Sequence, residues 1–103
     1  MATFGAFGGP IKEYLGSQSI SAPSGSNLDT TISHEDTTGS NKAMVCLITS
    51  NGNAYIECNG SATTSSLPIT SSDELIVRLT NGATLGAYGN GGVRTVTVKK
   101  YTA

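Results

Sequence analysis

Short runs of alternating apolar and polar residues, each closed by Asn, Gly or Ser, recur along the chain after residue 27. This alternation is typical of strands with one buried face, and the residues that close each run are those that favour turns. We expect strands at these positions: Leu28–Ile32, Ala43–Thr49, Ala54–Cys58, Ser61–Ile69, Leu75–Leu79, Thr84–Tyr88 and Arg94–Lys100. Many short strands of this kind predict an all-β fold, a single antiparallel β-sandwich that is jelly-roll-like, with seven to nine strands and essentially no helix.

The hydrophobic core follows from the side chains that share one parity within each predicted strand. We expect most of the core from these residues: Leu28, Ile32, Cys46, Ile48, Ile56, Leu75, Val77, Leu79, Leu85, Val96 and Val98.

One segment carries a helix signal as well as a strand signal. Ser71 and Glu74 have the spacing of a helix capping box. The run that follows, LIVRL, leaves room for barely two turns before Asn81 and contains β-branched residues, which favour a strand. We therefore predict a strand from Leu75.

The stretch TSNGNAYI has a near-echo in LTNGATLG, thirty residues further on. In each we predict a hairpin with a three-residue loop, 50–52 and 80–82, in which Gly52 and Gly82 adopt a positive φ as turn-forming residues. A two-residue loop would place apolar side chains opposite polar ones. The predicted pairs are Cys46 with Ile56, Ile48 with Ala54, Val77 with Leu85 and Leu75 with Ala87.

The first 27 residues differ from the rest because they are rich in Gly, Ser and Pro. This composition predicts an extended arm over residues 1–27 and a β-sandwich domain over residues 28–103, with a short strand possible around Ser19–Ala22. Apolar side chains in the arm need a surface to cover them, and one small domain has little spare core. We therefore expect a partner-binding arm whose anchor residues are Phe4, Phe7, Ile11 and Leu15.

Charge is sparse, which excludes some classes of function. The formal net charge is −1 and charged residues make up 13% of the chain, against roughly 25% in typical domains. No long-range field attracts nucleic acid, no apolar run approaches the ~20 residues of a membrane helix, and no secretion signal opens the chain. A surface with so little charge favours assembly with partner subunits over a hydroxyl-rich monomer.

Few residues point to chemistry. Without a secretion signal, Cys46 and Cys58 are expected to be free thiols. The run His34-Glu35-Asp36 offers metal-binding atoms, but consecutive residues seldom converge on one ion, so a solvated loop is favoured. One His and no nucleophile motif make an enzyme the least favoured class. We expect no catalytic, cofactor-binding or metal-binding residues and no cofactor.

The segment from Lys42 to Tyr101 resembles a group of small virion proteins of tailed bacteriophages. In these proteins an apolar strand leads to a segment of the form A-[YFH]-[IV]-x-x-[NG]-G. An Ala/Thr/Ser-rich strand, an [LI]-P-[LI] segment with a short acidic or Gly turn, an aliphatic strand, a Gly-containing Ala-rich strand and a closing TVTV strand follow. The matching pieces here are NAYIECNG, SATTSSLPIT, DELIVRL, ATLGAYGNGG and VRTVTVKK.

The resemblance implies a virion structural protein, most plausibly a capsid decoration or cement protein assembled in the host cytoplasm. The implied partners are the major capsid protein or other virion subunits, together with further copies of this chain in a homo-oligomer for which a trimer is favoured. A position in the tail, neck or baseplate stays open. So does a carbohydrate-binding or receptor-binding β-sandwich, for which the four tyrosines would supply the aromatic contacts.

Overall fold

The structure, a computed structural model, describes residues 13–34 and 43–102, and the secondary structure of these residues is all β. The eight strands are β1 (Tyr14–Ala22), β2 (Asn27–Ile32), β3 (Ala43–Ser50), β4 (Ala54–Cys58), β5 (Leu67–Ile69), β6 (Leu75–Thr80), β7 (Ala83–Gly89) and β8 (Arg94–Thr102). Their number lies within the predicted range, and the described residues contain no helix.

The strands form two four-stranded sheets that face each other. The first sheet has the order β1-β8-β3-β6 and the second has the order β2-β7-β4-β5. All pairings between neighbouring strands are antiparallel. Buried side chains from both sheets form one hydrophobic cluster, which confirms the predicted antiparallel β-sandwich.

Most of the predicted core is found between the two sheets. The confirmed residues are Ile32, Cys46, Ile48, Ile56, Leu79, Leu85, Val96 and Val98. Leu75 and Val77 are only partly buried against this cluster. Leu28 was wrongly included: it lies on the edge strand β2 and is 41% exposed, because the neighbouring strand covers it on one side only. The prediction missed Ile20, Ala22, Met44, Ala54, Ala62, Ile69 and Ala87.

The predicted arm is too long. Residues 14–22 form β1, which pairs with β8 along its length, and Asn27 already begins β2. Leu15 packs against the core of its own domain rather than being left for a partner, so its assignment to the arm is wrong. Because this segment is rich in Ser, the sequence analysis did not predict the full strand, whose inward-facing residues include Ile20 and Ala22. Residues 1–12, with Phe4, Phe7 and Ile11, lie outside the described residues.

The two Asn-Gly corners are not hairpins. β3 and β4 lie in different sheets, and so do β6 and β7, so none of the four predicted cross-strand pairs forms. Both corners carry the chain from the first sheet to the second. Within the described residues, β4 and β5 are the one consecutive pair of strands that are hydrogen-bonded neighbours.

Two further sequence predictions concern the stretch between β4 and β6. The strand expected over Ser61–Ile69 shrinks to three residues, because the amide of Ser66 donates to the carbonyl of Thr63 at 3.0 Å in a turn. The capping-box signal does not mark a helix: Asp73 closes a turn by accepting a hydrogen bond from the amide of Thr70 at 2.8 Å. A strand from Leu75 is confirmed.

Candidate functional site

The outer face of the first sheet carries a band of apolar side chains. Alternation along β3 buries Met44, Cys46 and Ile48 and turns Val45 and Leu47 to the other face. Leu47 lies opposite Ile76 on β6, which is 63% exposed. A half-buried and exposed apolar row therefore crosses this sheet on the side away from the core.

Two tyrosines extend this band to the opposite edge. Tyr14 on β1 is the register partner of Tyr101 on β8, and Tyr101 in turn lies opposite Val45. The two rings contact each other at 5.4 Å between centroids with an interplanar angle of 53°. Tyr14 is 53% exposed, and a tyrosine at such a position offers both apolar area and a hydroxyl to a partner.

Two cationic side chains lie among these apolar residues. Lys99 lies opposite Leu47 on one side, and Arg78 lies opposite Val45 on the other. The residues Tyr14, Val45, Leu47, Ile76, Arg78, Lys99 and Tyr101 are called the outer band below.

Part of the outer face of the second sheet is covered by the protein's own chain. The segment between β4 and β5 lies over β7, where a Cβ added to Gly86 would stand 2.5 Å from the carbonyl oxygen of Gly60 and 2.6 Å from the amide nitrogen of Ala62. The side chain of Asn27 holds the segment by accepting a hydrogen bond from the amide of Ala62 at 2.8 Å. Ser61 donates to the carboxylate of Asp29 at 3.0 Å.

Among the described residues of the outer band, Tyr14 and Ile76 are 53% and 63% exposed. The second sheet keeps one aromatic pair on its outer face, Tyr55 and Tyr88, whose ring centroids are 5.7 Å apart. The four tyrosines thus form two pairs on different sheets and do not line one groove.

The predicted turn residues have different outcomes. Gly82 has a φ of 92°, which confirms the prediction. Gly52 is not among the glycines of positive φ, so that prediction is wrong. A Cβ on Gly52 would instead lie 2.8 Å from the guanidinium of Arg94, which donates to the carbonyl oxygens of Asn53 and Asn90.

The asparagines of the two corners have a role that the sequence analysis missed. The side-chain oxygen of Asn51 accepts a hydrogen bond from the amide of Thr95 at 3.0 Å. Asn81 makes two hydrogen bonds with the backbone of His34: its oxygen accepts from the amide at 3.1 Å and its nitrogen donates to the carbonyl at 3.3 Å. Each corner is thereby tied to a strand, or to the end of a strand, that is distant in sequence.

One buried cation lies at an end of the sandwich. Lys100 is 6% exposed and takes the inward position that follows Val98 on β8. Its ammonium group donates to the side-chain oxygen of Gln18 at 3.0 Å and to the carbonyl of Ser33 at 2.6 Å. Gln18 also accepts from the amide of Ser33 at 3.1 Å. These hydrogen bonds join both sheets and compensate the burial of the polar groups.

The two cysteines are free thiols, as expected. Burial raises the pKa of Cys46 from 9.0 to about 11, and the neighbouring Lys100 ammonium opposes this rise. Burial also raises the pKa of Cys58, with a further contribution from the Glu57 carboxylate. Raised pKa values keep both thiols protonated at neutral pH, which is the opposite of an activated nucleophile.

The acidic run after His34 gives no site among the described residues. The backbone of His34 is held by Asn81, while Glu35 and Asp36 lie outside the described residues. Within residues 13–34 and 43–102, no three His, Cys, Asp or Glu side chains form a group that could hold a metal ion. In the same part of the chain, no helix has the length and apolar character needed to cross a bilayer.

Comparison of the chain with protein-family models, with curated proteins and with solved structures found no match. The fold and the surface just described define a small antiparallel β-sandwich with one apolar outer face.

Proposed function

We propose that the chain is a non-enzymatic virion structural protein, and more specifically a capsid decoration protein that binds assembled shell subunits. The observation that carries the proposal is the outer band, an apolar and aromatic face that also carries Arg78 and Lys99. An apolar face of this kind stabilises a complex when a partner covers it, since buried apolar area contributes roughly 25 cal/mol per Å².

Two other observations support a binding role over catalysis. The thiols have raised pKa values, and the ammonium group of the buried Lys100 is occupied by protein oxygens, so none of these three groups is poised as a nucleophile or base. The resemblance of the segment from Lys42 to Tyr101 to small phage virion proteins supports a place on the virion. The strand orders β1-β8-β3-β6 and β2-β7-β4-β5 support the jelly-roll-like description, because each sheet combines strands from both halves of the chain.

The proposal also includes a partner-binding arm, shorter than the arm expected from the sequence. Since β1 begins at Tyr14, only residues 1–12 remain as candidates for an arm, and Phe4, Phe7 and Ile11 are its proposed anchors. The major capsid protein is the proposed receiver of these side chains.

Co-sedimentation of the purified protein with assembled capsids tests the function. The protein is expected to pellet with shells and to stay in solution without them. Replacing Tyr14 by Ser should weaken binding, whereas Leu67→Ser should not, because Leu67 is 49% exposed on the edge of the other sheet and serves as a matched control. Equal binding by both variants would contradict a role for the outer band.

The alternatives separate in the same assays. Binding to isolated tails or baseplates instead of shells favours a tail, neck or baseplate position. A glycan-binding screen tests a carbohydrate-binding or receptor-binding module, which the pair Tyr55 and Tyr88 would have to serve. A sugar that binds there, with no binding to virion parts, would overturn the structural role.

A further inference from the structure

The four edge strands of the sandwich are protected to different degrees. An edge strand presents unpaired backbone N–H and C=O groups, and proteins block such edges with Pro, charges or bulges. β5 carries Pro68, β2 carries the exposed Asp29, and β1 has an irregular register next to Gly16, whose φ is 108°. β6 has neither Pro nor Gly, keeps a regular register with β3 over six residues, and carries one charged residue, Arg78.

β6 also carries apolar side chains on both faces, although Arg78 and Thr80 share its outer face with Ile76. Ile76 points outward and is 63% exposed, while Leu75 and Val77 point inward and remain only partly buried. Among the described residues, β3 is the only strand paired with β6. A further strand beside β6 would therefore gain backbone hydrogen bonds and cover apolar side chains on both faces at once.

The charges on β6 indicate which strand could pair with it. Arg78 lies on the outer side of β6, and Glu74, which is exposed, lies four residues before it. If two copies of β6 pair antiparallel about Ile76, Glu74 of each copy stands directly opposite Arg78 of the other. Pairing about Arg78 would place two cations together, and pairing about Val77 would place each Arg78 opposite Ile76, so neither matches the charges.

We propose that two copies of this chain associate through β6, antiparallel and centred on Ile76. The outer side of the pair then has Ile76 against Ile76, flanked by two Glu74–Arg78 ion pairs. On the inner side, Leu75 of each copy lies opposite Val77 of the other. Cross-strand pairs of both kinds stabilise antiparallel sheets.

The result is a continuous sheet of eight strands with a two-fold axis at Ile76. Since Leu47 is the register partner of Ile76, the apolar row of the outer band runs without a break from one copy to the next. Tyr14 lies at the far edge, on β1, and stays accessible. The inference goes beyond the proposed function and does not rest on it, because the partner is a second copy and the assay contains no capsid.

A charge-swap series measured by sedimentation equilibrium tests the pairing and its register. The full-length protein should dimerise over a concentration series that reaches about 1 mM, since a single strand pair is a small interface. Glu74→Arg and Arg78→Glu should each weaken dimerisation roughly tenfold, because each puts like charges opposite each other twice. The double variant should restore it.

The control for these variants is Lys99→Glu, which reverses a charge on the same outer face at the central strand β8. It should leave dimerisation within about twofold of the unsubstituted protein. Thermal melting of each variant verifies that all of them are folded, since Glu74, Arg78 and Lys99 are all exposed.

Chemical cross-linking gives an independent result. With a short bis-maleimide, Ile76→Cys should yield a covalent dimer, whereas Leu67→Cys, at a similarly exposed site on the other sheet, and the unsubstituted protein should not. A protein that stays monomeric throughout, a trimer as the sole oligomer, a double swap no better than the single swaps, or equal cross-linking at both positions would each overturn the proposal.

Discussion

Replacing Asn by Asp is expected to leave the stability of the protein nearly unchanged at one Asn-Gly corner and to lower it at the other. Asn51 uses its side-chain oxygen as an acceptor for the Thr95 amide. Asn81 uses both its oxygen and its nitrogen, on the amide and the carbonyl of His34. Aspartate keeps the acceptor and removes the donor, so it satisfies the first contact and breaks half of the second.

The magnitudes follow from these contacts. Asn51→Asp should change the free energy of unfolding by less than about 0.5 kcal/mol, because a carboxylate still accepts from the amide. Asn81→Asp loses one hydrogen bond and sets a carboxylate against a partly buried carbonyl oxygen, which should cost about 1–3 kcal/mol. For a domain of this size, each kcal/mol lowers Tm by about 4–8 °C.

Thermal and urea unfolding of the two variants provide the measurement. Alanine at each position is the control, since it removes every side-chain hydrogen bond and should destabilise both corners. Equal Tm values for Asn51→Asp and Asn81→Asp, or a neutral Asn81→Asp, would refute the assignment of the two hydrogen bonds to His34.

Further predictions concern the glycines and the thiols. Gly82→Ala should lower stability by about 1 kcal/mol because of its positive φ, whereas Gly52→Ala should cost less, since it meets only the flexible end of Arg94; chemical denaturation compares the two. In the folded protein, a maleimide at pH 8 should modify Cys58 before the fully buried Cys46; the reverse order would contradict the described burial. Because folding raises the pKa of Cys46 from 9.0 to about 11, its contribution to stability is present below pH 9 and is lost as the pH rises from 9 to 11, which unfolding at stepped pH values measures.

The sequence by itself determined most of the strands and which of their side chains face inward. These are local properties, because alternation along one strand depends on one buried face and not on the identity of the neighbouring strand. Eight of the predicted core residues are buried for this reason, and β4 has the predicted bounds. The strand β1 was largely missed because most of its side chains are polar and only Ile20 and Ala22 are fully buried in it.

The choice of neighbouring strands was decided only by the tertiary structure. The alternation of apolar and polar residues requires the apolar side chains of both β3 and β4 to face the hydrophobic core. A hairpin meets that requirement within one sheet, and a corner between two facing sheets meets it across the core. Local sequence does not distinguish these arrangements, so both corners were interpreted as hairpins.

Contacts between residues distant in sequence explain both the burial of Lys100 and the position of β6 at the edge of its sheet. Lys100 meets Gln18 and Ser33 across 82 and 67 residues of sequence. β6 is an edge because, among the described strands, only β3 pairs with it. Contacts between residues so far apart in the chain leave no periodic pattern in the local sequence. The burial of Lys100 and the exposure of β6 therefore depend on how the two sheets assemble.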